Sequence, residues 1–203
     1  MGRGIEIMLP KAVLFDMDGT LTRPMLDFPR IKAEMGIGGK PILEALAEMD
    51  DAARAAAEAV LLRHELAASV GSELNEGCLE LLDWLRGRNI LTALITRNSR
   101  LSVTTVLERH GLTIDVLVSR EDAPPKPEPA PLRLACRRLG VPESDAWMVG
   151  DGQYDVEAGL AAGIRTVWVS HGRSRSFGAE PWRVVTGLCG LRGVLEAASA
   201  QLK

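Results

Sequence analysis

Residues 12–22 read AVLFDMDGTLT, an apolar run followed at once by two carboxylates and a glycine. The run from Ala12 to Phe15 predicts a short buried strand. Asp16 and Asp18 would then lie at the carboxyl end of a parallel strand, where open α/β sheets bind ligands. A close pair of carboxylates either holds a hard divalent cation or divides nucleophilic and acid–base roles between two groups. Taken alone, the stretch is also compatible with an ordinary Asp-Gly turn after a strand.

The composition is that of a globular protein with a small net charge. The chain has 203 residues, enough for one large domain or a core with a modest insertion, and a formal charge of −3. The small charge predicts no nucleic-acid partner. No apolar run reaches the roughly 18 residues that a membrane span needs, so no membrane association is expected.

Cysteine usage and the amino terminus favour the cytoplasm. Cys78, Cys136 and Cys189 are scattered and lack a CxxC pair, which favours reduced thiols over a disulfide framework or a zinc site. The segment from Met1 to Lys11 is too short and too interrupted by glycine and proline to resemble a signal peptide. We therefore expect a cytoplasmic protein that is a monomer or a homodimer.

A long helical segment separates the first predicted strand from the second. Residues 41–70 are rich in alanine, carry apolar residues at helical spacing and predict two helices that meet near residues 49–51. A doubly wound fold normally needs a single crossover helix at this point, so the excess indicates an inserted helical module. Its basic residues are expected to lie mostly on solvated helix faces. They are Arg23, Arg30, Lys32, Lys40, Arg54, Arg63 and His64.

The rest of the chain alternates apolar runs with helical segments. We predict strands at 89–96, 114–119, 145–151 and 164–170, with a short edge strand at 182–185. Helices are predicted at 29–35, 74–88, 100–110, 130–139, 154–162 and 191–200. Near-continuous apolar strands between helices are typical of a parallel sheet covered on both faces. The expected fold is therefore α/β, with a doubly wound, mostly parallel sheet.

Polar residues follow four of the predicted strands. They are Asp16 and Asp18 after the first, Thr96 after the second, Lys126 in the loop after the third, and Asp151 and Asp155 after the fourth. Because the carboxyl ends of parallel strands face the same side of a sheet, these side chains would converge. Each has a plainer alternative when taken alone: a helix cap for Thr96, a solvated loop for Lys126 and a turn for Asp151.

The same four segments resemble the motifs of the haloacid dehalogenase-like hydrolases, in the order that the family shows. They are DMDGTLT at 16–22, the strand-ending Thr96, Lys126 within PPKPEP at 124–129, and GDGQYD at 150–155. The fourth segment is most similar to the branch that contains phosphoglycolate phosphatases and β-phosphoglucomutases. The resemblance implies a Rossmann-like core of residues 1–21 and 72–203, and a small helical cap of residues 22–71 that closes over the active site.

The resemblance also implies a role for each residue in a phosphatase that depends on Mg²⁺. Asp16 would attack phosphorus and form an aspartyl phosphate, while Asp18 would protonate the leaving alcohol and later activate water. Thr96 and Lys126 would bind the transferring phosphoryl group. Further candidates for contact with phosphate or substrate are Gly19, Thr20, Arg97 and Asn98. The implied Mg²⁺ ligands are Asp16, the main-chain carbonyl of Asp18 and Asp151, with Asp155 in or beside the coordination shell.

Two physical expectations concern Asp18. It must change protonation state in such a reaction, so we expect its pKa to lie above the ordinary value of about 4. Thr20, two residues further on, is expected to hydrogen-bond Asp18 and orient it.

The substrate and the exact reaction stay open at this point. The expected partner is a small phosphorylated metabolite, with phosphoglycolate favoured over a sugar phosphate or a nucleotide. A phosphosugar mutase of the same family is one alternative. A phospho-accepting signalling domain is another, but its acceptor aspartate would follow the third strand rather than the first. The loop at 171–175, rich in arginine and serine, could bind an anion, although a solvated loop is favoured.

Overall fold

The sheet has the expected doubly wound order. A computed structural model describes residues 8–200, in which six strands lie in the order β3-β2-β1-β4-β5-β6 and every neighbouring pair is parallel. The strands are β1 (Ala12–Phe15), β2 (Leu91–Ile95), β3 (Val116–Val118), β4 (Ala146–Gly150), β5 (Arg165–Val169) and β6 (Arg183–Val185). This confirms the predicted α/β class, and the edge strand β6 is parallel like the others.

Eight helices connect and cover these strands within the described residues. They are α1 (Phe28–Met35), α2 (Ile42–Ala47), α3 (Asp51–Val70), α4 (Cys78–Arg86), α5 (Arg100–His110), α6 (Ala130–Leu139), α7 (Gln153–Ala162) and α8 (Leu188–Ala200). The predicted helix at 74–88 begins only at Cys78, because Gly77 adopts a left-handed conformation (φ 80°) and Leu74 forms a bridge with Thr22. Helix α8 starts three residues before its predicted start at Leu191.

Each face of the sheet is covered by its own hydrophobic cluster. Val13 and Phe15 of β1 pack on one face with α4, α5 and α8, through residues such as Leu85. Ala12 and Leu14 pack on the other face with α6 and α7. Alternate residues of a strand point to opposite faces, so both faces of β1 are buried and it reads as a continuous apolar run.

Helices α1–α3 enclose a third cluster, made by Ile31, Ile42, Leu46, Ala57 and Leu61. As predicted, α2 and α3 meet at residues 48–50. Asp50 caps α3 by accepting a hydrogen bond from the Ala53 amide, and Arg54 donates to two main-chain carbonyls at the end of α2. These three helices form a packed unit between β1 and β2.

Residues 1–7 and 201–203 lie outside the described part of the chain. They belong to the predicted core ranges, and 1–7 make up most of the segment that is predicted not to be a signal peptide. Within residues 8–200, no helix combines the length and the apolar character needed to cross a membrane.

Candidate active site

The carboxyl ends of β1 and β4 bring two acidic turns into contact. Asp16 follows β1, and its amide donates to the Val149 carbonyl at 2.9 Å. Gly19 has a φ of 83°, and a Cβ placed on it would lie only 2.5 Å from the carboxyl group of Asp151. Only glycine therefore fits here, both for the backbone conformation and for the close approach.

Lys126 is the buried cation of the site. Its side chain is 2% exposed, and Nζ donates to Asp16 Oδ1 at 2.6 Å, to Asp155 Oδ1 at 2.6 Å and to the Ile95 carbonyl at 2.8 Å. Burial alone would lower the pKa of Lys126, but the charges of Asp155 and Asp16 outweigh it and raise this pKa to about 12. The lysine is therefore a fixed positive charge at neutral pH.

Three carboxylates lie close enough together to hold one cation. Asp16, Asp151 and Asp155 each offer an oxygen within 4.8 Å of the others. Burial raises the pKa of Asp16, an effect that Lys126 opposes and Asp155 strengthens. The three carboxylates have two cationic partners, Lys126 and Arg173, which leaves an excess of negative charge, and the donor set is oxygen alone, which fits Mg²⁺. Asp155 is constrained further because its Oδ2 accepts from the Gly152 amide at 3.0 Å.

Asp18 has a different partner from the one predicted. Asn98 Nδ2 donates to Asp18 Oδ2 at 2.6 Å. Burial raises the pKa of Asp18 to about 6, against the opposing hydrogen bond from Asn98, in agreement with the expected elevation. The predicted bond from Thr20 to Asp18 was wrong. The Thr20 amide donates to the Met17 carbonyl and closes the turn after β1. The Thr20 hydroxyl is buried and has no hydrogen-bond partner among the described residues.

The Thr96 side chain stabilises the turn that follows β2. Its side chain is buried, and Oγ1 accepts from the Asn98 amide at 3.1 Å, while its own amide donates to the Val118 carbonyl. It directly follows Ile95, whose carbonyl binds Lys126. Thr96 thus lies at the predicted edge and also shapes the turn that presents Asn98 to Asp18.

Arg97 is held by contacts that the sequence did not predict. Its Nη2 contacts both carboxylate oxygens of Glu44 in α2, at 2.9 and 2.8 Å. Its Nη1 donates to the Lys126 carbonyl, and its guanidinium lies 4.5 Å from the centre of the Tyr154 ring. The predicted substrate contact is therefore, in this structure, a bridge between α2 and the rim of the site.

Four further contacts at this edge were not predicted. Glu65 of α3 is 1% exposed, pairs with Arg120 and accepts from the Ser99 amide at 3.1 Å. His171 Nε2 donates to the Gly19 carbonyl at 2.6 Å, and Arg173 Nη2 donates to Asp151 Oδ2 at 2.8 Å. The two partners in each contact are far apart in sequence, and no local motif marks them.

The basic residues of the inserted segment have partners of their own. Arg30, Arg63 and His64 surround Glu34, and Lys40 pairs with Glu48. Arg23 pairs with Glu73, Lys32 donates to the Gly39 carbonyl, and Arg54 caps α2 as described. These contacts agree with the expectation that most of these side chains lie on helix faces.

Comparison with known proteins assigns the family. The chain is 33% identical over 198 residues to a phosphoglycolate phosphatase of Rhodospirillum rubrum, covering 82% of each chain. It is 32% identical over 186 residues to an N-acetylmuramic acid 6-phosphate phosphatase of Pseudomonas putida, covering 80% of this chain and 83% of the relative. The fold matches a hydrolase of Pseudomonas syringae with a TM-score of 0.74 and 20% identity, over 92% of this chain and 98% of the other. Residues 29–169 match the family model for haloacid dehalogenase-like hydrolases. The chain belongs to the haloacid dehalogenase-like hydrolase family.

Proposed function

We propose that the protein is a Mg²⁺-dependent phosphatase that hydrolyses a small phosphate monoester through an aspartyl phosphate on Asp16. The observation that carries this proposal is the buried Lys126, which binds Asp16 and Asp155 at 2.6 Å beside Asp151. A carboxylate and a phosphate dianion repel each other, so an anionic nucleophile needs positive charge around it. Lys126 supplies one such charge, held in place by three hydrogen bonds.

The first half of the reaction uses Asp16 and Asp18. A carboxylate oxygen of Asp16 forms a bond to phosphorus while the ester P–O bond breaks. Asp18 gives its proton to the leaving alkoxide, so the alcohol departs neutral. The pKa of about 6 suits a group that must both give and take a proton near neutral pH. Asn98 Nδ2, 2.6 Å from Asp18 Oδ2, holds the Asp18 carboxyl group in place for this transfer.

The second half returns the enzyme to its starting state. Asp18 accepts a proton from water, the water oxygen attacks phosphorus, and the bond from phosphorus to Asp16 breaks to release inorganic phosphate. Asp16, Asp151, Asp155 and the main-chain carbonyl of Asp18 would hold Mg²⁺. When bound, the ion supplies the charge that offsets the repulsion between the phosphate and the carboxylates.

Residues 22–71 act in this proposal as the cap that excludes water and reads the substrate. Both curated relatives described above carry phosphatase names, one acting on phosphoglycolate and one on a phosphorylated amino sugar. We favour phosphoglycolate for this chain, with a sugar phosphate as the next candidate. The partner is thus a small metabolite rather than a nucleic acid. The free thiols of Cys78 and Cys136, both buried, suit a reducing cytoplasm.

Phosphate release from a panel of monoesters, with and without Mg²⁺, tests the proposal. We expect wild type to release phosphate only with Mg²⁺, and Asp16→Asn to lose the activity because an amide cannot act as the nucleophile. Asp83→Asn is the matched control, since Asp83 is an exposed residue of α4. Full activity in Asp16→Asn would refute the mechanism. Labelling of Asp16 by a phosphoryl donor without ester hydrolysis would favour a mutase instead.

A further inference from the structure

The loop after β5 contacts both acidic turns of the proposed active site. Ser170 anchors this loop to β6, since its amide and its hydroxyl both donate to the Val185 carbonyl, at 2.8 and 3.0 Å. From this anchor, His171 reaches the Gly19 carbonyl at 2.6 Å. Arg173 reaches Asp151 Oδ2 at 2.8 Å. A fifth strand end, which carries none of the recognised motifs, therefore closes on the same site.

Asp151 is held from two sides by β5 and its loop. The indole Nε1 of Trp168, a buried residue of β5, donates to the Asp151 carbonyl at 3.0 Å. The guanidinium of Arg173 holds one carboxylate oxygen, and its Nε and main-chain amide both donate to the Ser170 carbonyl, at 3.0 and 2.9 Å. Hydrogen bonds from three of its atoms, the main-chain N, Nε and Nη2, therefore fix the orientation of Arg173. Its side chain is 38% exposed and that of Asp151 is 19% exposed, so this contact matters more for geometry than for stability.

The geometry points to a role in choosing the cation. We propose that Arg173 is a positioning residue that restricts Asp151 to a single available oxygen and thereby makes the site favour Mg²⁺ over Ca²⁺; this inference rests on the proposed function. Within residues 8–200, no hydrogen bond engages the other oxygen, Oδ1, while Oδ2 is held by Arg173. Mg²⁺ requires near-octahedral geometry and takes one oxygen from a carboxylate. Ca²⁺ accepts six to eight ligands and often binds both carboxylate oxygens.

The charge of Arg173 and its hold on one Asp151 oxygen would change the two cation affinities in different ways, so an experiment can separate them. The positive charge of Arg173 repels Mg²⁺ and Ca²⁺ alike, because both ions carry two charges. Loss of that charge raises both affinities by the same factor and leaves their ratio unchanged. Release of the second Asp151 oxygen favours only the ion that can use it. The ratio of the two affinities therefore reports the geometry alone.

The test measures cation binding by the whole 203-residue chain without substrate. Mg²⁺ or Ca²⁺ is titrated against bound Mn²⁺, and the electron paramagnetic resonance signal of the released Mn²⁺ is recorded. We expect Arg173→Gln to shift the affinity ratio toward Ca²⁺ by about tenfold, at the lower end of effects seen for residues that support metal ligands. Arg173→Lys, which keeps a charged donor, should lie between this variant and wild type. Arg175→Gln removes the same charge from an exposed position two residues away and should keep the wild-type ratio.

The outcomes distinguish this inference from the function on which it rests. An unchanged ratio in Arg173→Gln, with equal gains for both ions, would show that Arg173 acts through charge alone and would overturn the inference. Mg²⁺-dependent hydrolysis by wild type would leave the proposed function intact in that case. If wild type neither displaces Mn²⁺ with Mg²⁺ nor hydrolyses any ester, both proposals fail. Circular dichroism of each variant confirms that a changed ratio comes from folded protein.

Discussion

Helices α2 and α3, which lie between β1 and β2, each form an ion pair with an arginine beyond β2, and the two pairs differ in burial. In one, Glu65 of α3 is 1% exposed and pairs with Arg120, whose side chain is 16% exposed. In the other, Glu44 of α2 is 42% exposed and pairs with Arg97, which is 20% exposed. We call these the α3 contact and the α2 contact. Both are ion pairs between a glutamate of the insertion and an arginine of the core, yet their environments predict different consequences when they are broken.

The α3 contact is part of a buried polar network. Glu65 also accepts from the Ser99 amide, and Ser69 Oγ lies 2.7 Å from Ser102 Oγ. The network supports the turn that carries Asn98, since the Arg120 amide donates to the Asn98 carbonyl at 3.2 Å. A buried charge that loses its partner stays desolvated, whereas an exposed one regains water. We therefore expect the α3 contact to contribute much more to the free energy of unfolding than the α2 contact.

The largest expected effect is that of Glu65→Ala. This change removes a carboxylate that is 1% exposed from the Arg120 guanidinium and the Ser99 amide, and leaves Arg120 only the more distant Glu121 at 3.9 Å. We expect the free energy of unfolding to fall by about 3 kcal/mol, the lower end of the range for breaking a buried pair, because Arg120 retains some exposure. Urea unfolding followed by circular dichroism measures the loss.

Glu58→Ala is the matched control for this prediction. Glu58 is an exposed residue of the same helix, so its replacement should change the free energy of unfolding by less than about 0.5 kcal/mol. Equal losses in the two variants would mean that helix propensity, and not the buried pair, determines the effect. The difference in burial between the α3 and α2 contacts would then not translate into a difference in the free energy of unfolding.

The α3 contact also marks where prediction from sequence stopped. The apolar spacing of residues 41–70 gave the position of α3 correctly, and its apolar residues Ala57 and Leu61 face the third cluster. The same four-residue spacing continues through Glu65 and Ser69, which are equally buried but face α5. A single glutamate in this helix shows no local sign of burial, because its partners Ser99 and Arg120 lie far away in sequence.

The strand ends were predictable for the opposite reason. A buried parallel strand can be recognised in the sequence as a near-continuous apolar run, and the topology of the sheet places the residue directly after it at the sheet edge. Asp16 and Asp151 directly follow β1 and β4 and are placed in this way. Lys126, in the loop after β3, and Asp155, in the first turn of α7, were identified through the resemblance to the family motifs. Side chains that arrive from loops or from the insertion, such as Arg173 and Glu44, depend on tertiary geometry that no local pattern encodes.

A smaller, pH-dependent effect is expected at Asp122, which supports the loop that carries Arg120. Asp122 accepts from the amide and hydroxyl of Ser119, at 2.9 and 2.8 Å, and pairs with Arg100 and Arg138. Burial works against ionisation, but the hydrogen bonds from Ser119 and Arg138 outweigh it and hold the pKa of Asp122 below its ordinary value. The ionised carboxylate therefore stabilises the fold at neutral pH.

Asp122→Asn should lower the free energy of unfolding by about 1.5 kcal/mol at pH 7, the lower figure for hydrogen bonds to a charged group. A depressed pKa contributes stability that is complete above the unfolded value of 3.8 and disappears as the pH falls through the lower, folded value. The difference between wild type and variant should thus stay constant from pH 7 to about pH 5 and shrink below about pH 4. Urea unfolding across this range measures it, and a difference that persists at low pH would contradict the assignment.

The smallest effect on stability is expected for Glu44→Ala in the α2 contact. Exposed ion pairs contribute little, so the free energy of unfolding should change by less than about 0.5 kcal/mol. Arg97, however, also lies over Tyr154 and donates to the main-chain carbonyl of Lys126, whose side chain binds Asp16. Loss of Glu44 frees this arginine, so we expect kcat/KM to fall by about two- to threefold, which corresponds to about 0.5 kcal/mol.

Glu48→Ala is the matched control for the Glu44→Ala prediction. It removes a second exposed ion pair at the end of the same helix, with Lys40, but one that does not reach Arg97. If both variants keep their stability and only Glu44→Ala loses activity, the α2 contact acts on the site while the α3 contact holds the insertion in place. If Glu44→Ala is instead as destabilising as Glu65→Ala, exposure does not separate the two contacts, and α2 is as firmly fixed to the core as α3.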